Sequence, residues 1–239
     1  MTKKLILITN DDGIDSPLIK RLAEAATRFG EVWIVAPDSQ RSAVSQSSTF
    51  SRPVRVREYD FGIDDVKAYS CSGTPADCVR LGIRKILPSR PDFVLCGINN
   101  GPNISSDIQY SGTLGAAFEG SFLGVQSIAF SLQSGDGLGL VDRYLEELME
   151  ECMNRPLPKD TVWNINFPGC SLDECRGIQR DCRVSTDHFY EDGFDEKQLD
   201  DGSIEYSTVS HRIWDASEGT DLAALIDRYI SVGKVHNVS

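Results

Sequence analysis

Up to residue 155, short continuous apolar runs alternate with segments of helical periodicity. Lys4–Thr9 (KLILIT) is apolar without alternation, the pattern of a strand buried on both faces of a parallel sheet. Ser16-Pro17 then supplies an N-cap with proline at the first helical position. Ile19, Leu22, Ala23, Ala26 and Phe29 follow at helical spacing, with Gly30 placed as the C-cap. Residues 32–36 form a second apolar run, so strand, helix and strand predict a right-handed βαβ unit. Residues 40–51 are rich in Ser, Gln and Thr without a period and read as a loop. Residues 54–57 and 66–69 read as short strands. Thr74-Pro75-Ala76-Asp77 has the form of a capping box with Asp in the usual Glu position, and predicts a helix to about Leu87. Residues 92–96 are a further buried strand, running into the Gly- and Asn-rich segment 97–103. Ser111-Gly112-Thr113 opens a helix built on Leu114, Ala117, Phe118 and Phe122. Residues 127–132 are the next strand. Residues 135–139 read as a flexible link, their glycine spacing unlike a dinucleotide loop. Residues 142–155 are an amphipathic helix.

After Pro156 the pattern changes. Residues 162–167 alternate like a strand, and 170–215 are polar, with short strands and acidic turns (Glu191-Asp192-Gly193, Asp200-Asp201-Gly202). This segment reads as an antiparallel hairpin excursion. Residues 220–227 suit a short helix and 229–235 a last strand. The alternation predicts an α/β fold, a doubly wound and mostly parallel sheet, with residues 1–239 forming a single domain.

The 239 residues include 24 Lys and Arg against 36 Asp and Glu, a net charge of −12. Such a chain repels a polyphosphate backbone, so a nucleic acid polymer is not an expected partner. A small phosphate ester held through a cation is not excluded by this charge. No apolar run approaches the ~18 residues that cross a bilayer, and the start has neither a long apolar core nor a small-residue cleavage site. The expected address is the cytoplasm, without a membrane partner. The seven cysteines have no Cys-x-x-Cys pair and are read as reduced thiols. The three histidines form no His-Glu-x-x-His motif, which disfavours a histidine-based zinc enzyme or a histidine triad.

Ligands of open α/β sheets bind beyond the carboxyl ends of the strands. There this chain places Asn10, Asp11, Asp12 and Gly13 after the first strand, Asp38, Ser39, Arg41 and Ser42 after the second, and Asn99 and Asn103 after the strand at 92–96. Two adjacent carboxylates at a strand end either raise a pKa or bind a cation. Oxygen-only donors favour a hard divalent ion such as Mg2+ or Mn2+ over zinc or copper. Against this stands the plainer reading of Asp11-Asp12-Gly13 as a solvated turn. Ser111-Gly112-Thr113 lies at a helix N-terminus, where free N–H groups, the helix dipole and two hydroxyls suit an anion; simple capping is the plainer alternative. Arg41 is read either as a phosphate contact or as a surface cation, Thr74 as a plain cap and Cys96 as core.

In order along the chain, Ile8-Thr9-Asn10-Asp11-Asp12-Gly13-Ile14, Val35-Ala36-Pro37-Asp38-x-x-Arg41-Ser42, Gly73-Thr74-Pro75-Ala76-Asp77-Cys78-Val79, Gly97-Ile98-Asn99-x-Gly101-Pro102-Asn103 and Tyr110-Ser111-Gly112-Thr113 resemble the motifs of the SurE family of stationary-phase survival proteins. The resemblance is dense over residues 4–132 and resumes at Gly219-Thr220-Asp221-Leu222-Ala223-Ala224. It implies a Rossmann-like three-layer α/β/α sheet with a protruding antiparallel hairpin arm. The implied activity is metal-dependent hydrolysis of nucleoside 5′- and 3′-monophosphates to nucleoside and phosphate, extending to other phosphate esters and short polyphosphate. One divalent ion per subunit is implied, with Asp11, Asp12, Ser42 and Asn99 as its ligands. The phosphate-contacting residues would be Ser111, Gly112 and Thr113, with Asn103 as a secondary candidate. Apart from the resemblance, Asp11 and Asp12 are read as catalytic, one of the two accepting a proton from the attacking water, with Asp12 preferred over Asp11.

The family also implies dimers or tetramers. Here Arg228-Tyr229-Ile230-Ser231-Val232-Gly233-Lys234 replaces the family's Gly-Tyr-Val-Ser-Ile-Thr-Pro stretch, and the chain stops at Ser239. Because the family's C-terminal tail contributes to subunit contacts, a homodimer is the expectation and a tetramer is in question. A calcium-dependent nucleoside hydrolase is the alternative enzyme, although Asp11, Asp12 and Asp15 lack its Asp-x-Asp-x-x-x-Asp-Asp spacing. A nucleotide-sensing module without turnover is the non-enzymatic alternative. A haloacid-dehalogenase-type phosphatase is disfavoured, because it needs Asp-x-Asp at the end of the first strand.

Overall fold

A computed structural model describes residues 3–213 and 215–237. Residue 214, within the hairpin excursion, and Ser239 lie outside the described residues. The chain runs β1 (Lys4–Thr9), α1 (Pro17–Ala26), β2 (Gly30–Pro37), β3 (Val56–Tyr59), β4 (Lys67–Cys71), α2 (Pro75–Leu81), β5 (Phe93–Asn100), α3 (Gly112–Phe122), β6 (Gln126–Leu132), α4 (Leu138–Met153), β7 (Thr161–Phe167), β8 (Ile178–Cys182), β9 (Tyr190–Gln198), β10 (Ile204–Arg212), α5 (Asp221–Ile226) and β11 (Ile230–His236). A π-type turn, Gly82–Ile86, extends α2, and a 3-10 turn, Ser105–Gln109, precedes α3.

The central sheet has nine strands in the order β3-β4-β2-β1-β5-β6-β7-β11-β8. The pairings from β4 through β7 are parallel, while β3 and β11 enter antiparallel to β4 and β7. From β1 the chain builds outward through β2 to β4. It then crosses back and builds the other way through β5, β6 and β7. The order thus reverses between β1 and β5, which opens a crevice at their carboxyl ends.

Two helical layers cover the sheet. On one face Leu18, Ile19, Leu22 and Ala23 of α1 pack on Ile6, Ile8 and Ile34, and Leu145, Leu148 and Met149 of α4 pack on Ile128, Phe130 and Ile165. Val79 of α2 and Leu114, Ala117 and Phe118 of α3 pack on Leu7, Val35 and Val94 on the other. Each large aliphatic side chain removed from water contributes about 2 kcal/mol. Because β1 and β5 are apolar on both sides, the two layers hold the crevice between them. The architecture is the α/β doubly wound sheet that the alternation predicts.

Several boundaries differ. α1 ends at a Thr27 cap, and Gly30 opens β2 instead of capping the helix. β5 continues past Cys96 to Asn100 through a register shift against β6. The supposed flexible link at 135–139 contains the start of α4, at Leu138, and is tied down by Asp136 N donating to Gly169 O at 3.2 Å. Within 170–215, the antiparallel pair is the hairpin β9–β10 alone. The earlier part supplies β8, which joins the central sheet parallel to β11. β8 is an edge strand with a polar sequence, as edges require, so no apolar run announces it. Thr74 and Asp77 form the expected capping box, and the Asp77 carboxylate also accepts from Thr49 N at 3.0 Å. No helix among the described residues is long and apolar enough to cross a membrane.

Candidate active site at the crevice between the first and fifth strands

Asp11 and Asp12 leave the end of β1 at the point where the strand order reverses. Alternation sends Asp11 toward the face of Leu5 and Leu7, where α3 lies, and Asp12 toward the opposite face. Asp11 is buried at 3 % exposure. Its carboxylate accepts from Thr113 Oγ1 at 2.7 Å and Thr113 N at 3.2 Å. Its carbonyl accepts from Arg41 N at 2.7 Å. Asp12 is half-buried, and its carboxylate accepts from Asn100 N at 2.9 Å. The two aspartates therefore pin together the end of β1, the loop after β2, the end of β5 and the N-terminus of α3.

The approach of α3 to Asp11 depends on Gly112. A Cβ on this residue would stand 2.9 Å from Asp11 Cβ and 3.2 Å from Arg41 O. Ser111 caps the helix, its hydroxyl accepting from Leu114 N at 3.0 Å. Asn10 is fully buried; its Nδ2 donates to Gly13 O at 2.8 Å, while its Oδ1 has no partner. Asn99 Nδ2 donates to Gly101 O at 2.8 Å, which turns the amide so that Oδ1 remains as its acceptor. Ser42 follows Arg41 directly, and its exposed hydroxyl accepts from Gln40 Nε2 at 3.0 Å.

The electrostatics follow from this burial. Loss of water pushes the Asp11 carboxyl up to about 6, the Thr113 hydroxyl opposing and the Asp12 charge adding to the rise. Burial also raises Asp12, against the lowering effect of the Asn100 N–H. Neither carboxylate has a Lys or Arg ion-pair partner among the described residues. Burial holds the Cys96 thiol well above its ordinary value, with the Asp11 charge adding to the effect, so Cys96 is an inert core residue.

Of the residues singled out in the sequence, Asp11, Gly112 and Thr113 are brought into direct juxtaposition, and Asp12, next to Asp11 in the chain, is held by the end of β5. Asn99 and Ser42 sit one residue from the backbone groups, of Asn100 and Arg41, that bind the two aspartates. Asn103 is engaged elsewhere. Its Nδ2 donates to Ser131 Oγ at 2.8 Å, its N to Asn166 Oδ1 at 2.7 Å, and its carbonyl accepts from Asn164 and Asn166. No hydrogen bond joins it to Asp11, Asp12 or α3 among the described residues. Thr113 spends both its donors on Asp11, which makes it a positioning residue for that carboxylate. Arg41 contributes chiefly its backbone; its Nη2 lies 3.4 Å from Asp38 Oδ1 and its Nε has no partner. The part played by Asn100 was not legible in the sequence, because it belongs to a backbone N–H.

The donor set fits a hard divalent cation. It has two carboxylates with no counter-ion, a buried amide oxygen without a partner and further neutral oxygens, and it has no sulfur or imidazole. Among the described residues no group of three or more His, Cys, Asp and Glu could hold a metal ion, so neutral oxygens must complete any coordination here.

Comparison with known proteins agrees with this geometry. A family model described as "Survival protein SurE" matches residues 6–191. The chain is 39% identical over 228 residues to the 5′-nucleotidase SurE of Aeromonas hydrophila, covering 95% of this chain and 90% of that protein. It is 39% identical over 235 residues to the 5′-nucleotidase SurE of Aquifex aeolicus, covering 96% and 91%. The crystal structure of the SurE protein from Aquifex aeolicus superposes with a TM-score of 0.83 at 37% identity, covering 98% of this chain and 94% of that one.

Proposed function

We propose that this chain, which belongs to the SurE family of survival proteins, is a phosphomonoesterase that hydrolyses nucleoside monophosphates at the crevice between β1 and β5. The relatives' activity, 5′-nucleotidase, comes to this chain with a residue-level rationale. The observation that carries it is a pair of adjacent, partly dehydrated carboxylates without ion-pair partners among the described residues, Asp11 set against the N-terminus of α3 and Asp12 against the end of β5.

Asp11, Asp12, Asn99 and Ser42 would hold one Mg2+ or Mn2+ ion. When bound, such an ion polarises a phosphoryl oxygen and acidifies a water at neutral pH. The protein's own part is positioning and charge placement, which phosphoryl transfer chiefly needs. Thr113 fixes the Asp11 rotamer through two hydrogen bonds. Gly112 lets the helix N-terminus approach closely, and its N–H together with the Ser111 hydroxyl faces the equatorial oxygens of the phosphate. Asp12, less buried than Asp11, accepts the proton of the attacking water. The reading extends to 3′-monophosphates and short polyphosphate as further substrates, to a homodimer and to the cytoplasm. The unpaired state of all seven cysteines suits a reducing compartment.

Phosphate release from 5′- and 3′-nucleotides, with chelator and with Mg2+, Mn2+ or Co2+ restored singly, tests this function. Release that stops with chelator and returns with metal is expected. Release of free base from nucleosides, or nucleotide binding without any turnover, would overturn it.

A further inference from the structure

The loop that leaves β5 does not return directly to α3. From Asn100 it runs outward across the carboxyl ends of β6 and β7, and the 3-10 turn then leads it back to Ser111. Gly101 N donates to the carbonyl of Leu132, the last residue of β6, at 2.8 Å. Asn103 lies further out, against β7. Among the described residues no main-chain group pairs with the Asn103 N–H or carbonyl.

Side chains of β7 take the place of that partner. Asn166 Oδ1 accepts from Asn103 N at 2.7 Å, and Asn166 Nδ2 donates to Asn103 O at 3.1 Å. Asn164 Nδ2 donates to the same carbonyl at 2.8 Å. Ser131 Oγ, on β6, accepts from Asn103 Nδ2 at 2.8 Å. All four residues are buried. Strand register explains their meeting: Asn99 stands beside Ser131, and Ser131 beside Asn166, across β5, β6 and β7. On β7, Asn164 and Asn166 share a face with Val162, the face of α3, while Trp163, Ile165 and Phe167 face α4. Apolar side chains at 164 and 166 would leave the Asn103 N–H and carbonyl unpaired away from water. A carboxamide satisfies both, because it donates and accepts in one plane.

We infer that Asn166, assisted by Asn164, is a positioning residue for the hydrolysis: by fixing Asn103 it sets where Asn99 and Asn100 stand against Asp12. The inference rests on the phosphomonoesterase reading. Among the described residues Asn166 makes no hydrogen bond to Asp11, Asp12 or α3. It acts through Asn103, along the short backbone stretch back to Asn100, and through Asn100 N to the Asp12 carboxylate at 2.9 Å. Asn99, which would hold the ion, belongs to the same stretch. Loss of the carboxamide frees the loop to take several placements, of which only some align these groups. Metal affinity and kcat then fall together. The N-terminus of α3 is held separately, by the Asp11–Thr113 hydrogen bonds, so KM changes little.

The test compares wild type with N166A, N164A and V162A. Val162 is buried on the same face of β7 near its other end, so V162A removes packing without touching the loop. Mn2+ is titrated calorimetrically into each metal-stripped protein, thermal unfolding is recorded, and phosphate release from adenosine 5′-monophosphate is measured at saturating Mn2+. N166A is expected to lose about tenfold in Mn2+ affinity and about tenfold in kcat, with KM within about twofold. N164A, which keeps the Asn166 pair, should lose about threefold in each. V162A should unfold at a lower temperature with neither quantity changed. If N166A does not fold, N164A decides: a loss of affinity and kcat absent from V162A supports the inference, and wild-type values overturn it. Wild-type affinity and kcat in a folded N166A, or equal losses in V162A and N166A, would also overturn it, because the amides would then serve folding alone. A wild type that binds Mn2+ but releases no phosphate would count against the phosphomonoesterase reading instead. The Mn2+ titrations then decide Asn166 by themselves, a tenfold loss in N166A supporting its role and no loss overturning it. A wild type that neither binds Mn2+ nor releases phosphate would overturn both.

Discussion

Asp11 is the residue on which opposing demands meet. Burial disfavours its charge, yet a cation site needs that charge. Thr113 reconciles the two by donating a hydroxyl and an N–H to the carboxylate. Removal of the hydroxyl in Thr113→Val takes away a hydrogen bond that favours the ionised form, so the Asp11 pKa rises further above about 6. In the metal-free protein a proton on Asp11 then competes more strongly with the ion, so Thr113→Val should weaken Mn2+ binding more at pH 6 than at pH 8. An equal loss of Mn2+ affinity at both pH values would show that the Thr113 hydroxyl does not tune Asp11. Much of this site was readable from residue types. Paired carboxylates after a buried strand lie at the crevice, and Ser42 and Asn99, singled out at the neighbouring strand ends, each sit one residue from a backbone N–H that binds an aspartate. What could not be read is which hydrogen bonds they would form. The family resemblance offers Thr113 as a phosphate contact and Asn103 as a secondary one, but in the structure Thr113 bonds Asp11 and Asn103 an internal amide network with Asn164 and Asn166.

Among the elements, α5 shows how a buried acid couples distant segments. Asp221, in its first turn, accepts from Ser105 N at 3.2 Å and Ser185 N at 2.8 Å, joining the turn before α3 to the approach to the hairpin. Burial raises its carboxyl to about 6, against those hydrogen bonds. Because the folded pKa lies above the unfolded one, Asp221 favours folding most below pH 4. That contribution is lost as pH rises to about 6 and stays lost above it. The rise from 3.8 to about 6 corresponds to about 3 kcal/mol. The stability of wild type relative to Asp221→Asn, from urea unfolding, should therefore decline by that order between pH 4 and 7. A gap that stays constant across this range would contradict the assignment. The apolar strands and capped helices were legible because their signals are local. β8 was not, since Ile178-Gln179-Arg180-Asp181-Cys182 has no periodic apolar face and depends on β11 to make it a strand. The extension of β5 to Asn100 was likewise hidden behind a glycine that reads as a turn.

For the whole molecule, the hairpin is the element whose apolar face stands exposed. β9 and β10 form a two-stranded sheet of their own, and such a ribbon is marginal in isolation. Pairing puts Phe194, Ile204 and Tyr206 on one face, at 67%, 44% and 60% exposure. A second copy of the chain covering this face fits the homodimer that we propose. Replacing Phe194 and Tyr206 by Ser should shift the protein to monomer in sedimentation, while α1 to α4 and the crevice stay intact. A wild type that sediments as a monomer at micromolar concentration would remove this part of the account.

The central claim is that Asp11 and Asp12 cage a hard cation beside α3. Calorimetric titration of Mn2+ into the metal-stripped protein, read beside its thermal unfolding, tests it without relying on turnover. One ion per chain should bind to wild type, and Asp11→Asn should weaken binding by about 100-fold or more while still unfolding cooperatively. Equal Mn2+ affinity in a folded Asp11→Asn protein, or no saturable binding to wild type, would contradict the claim.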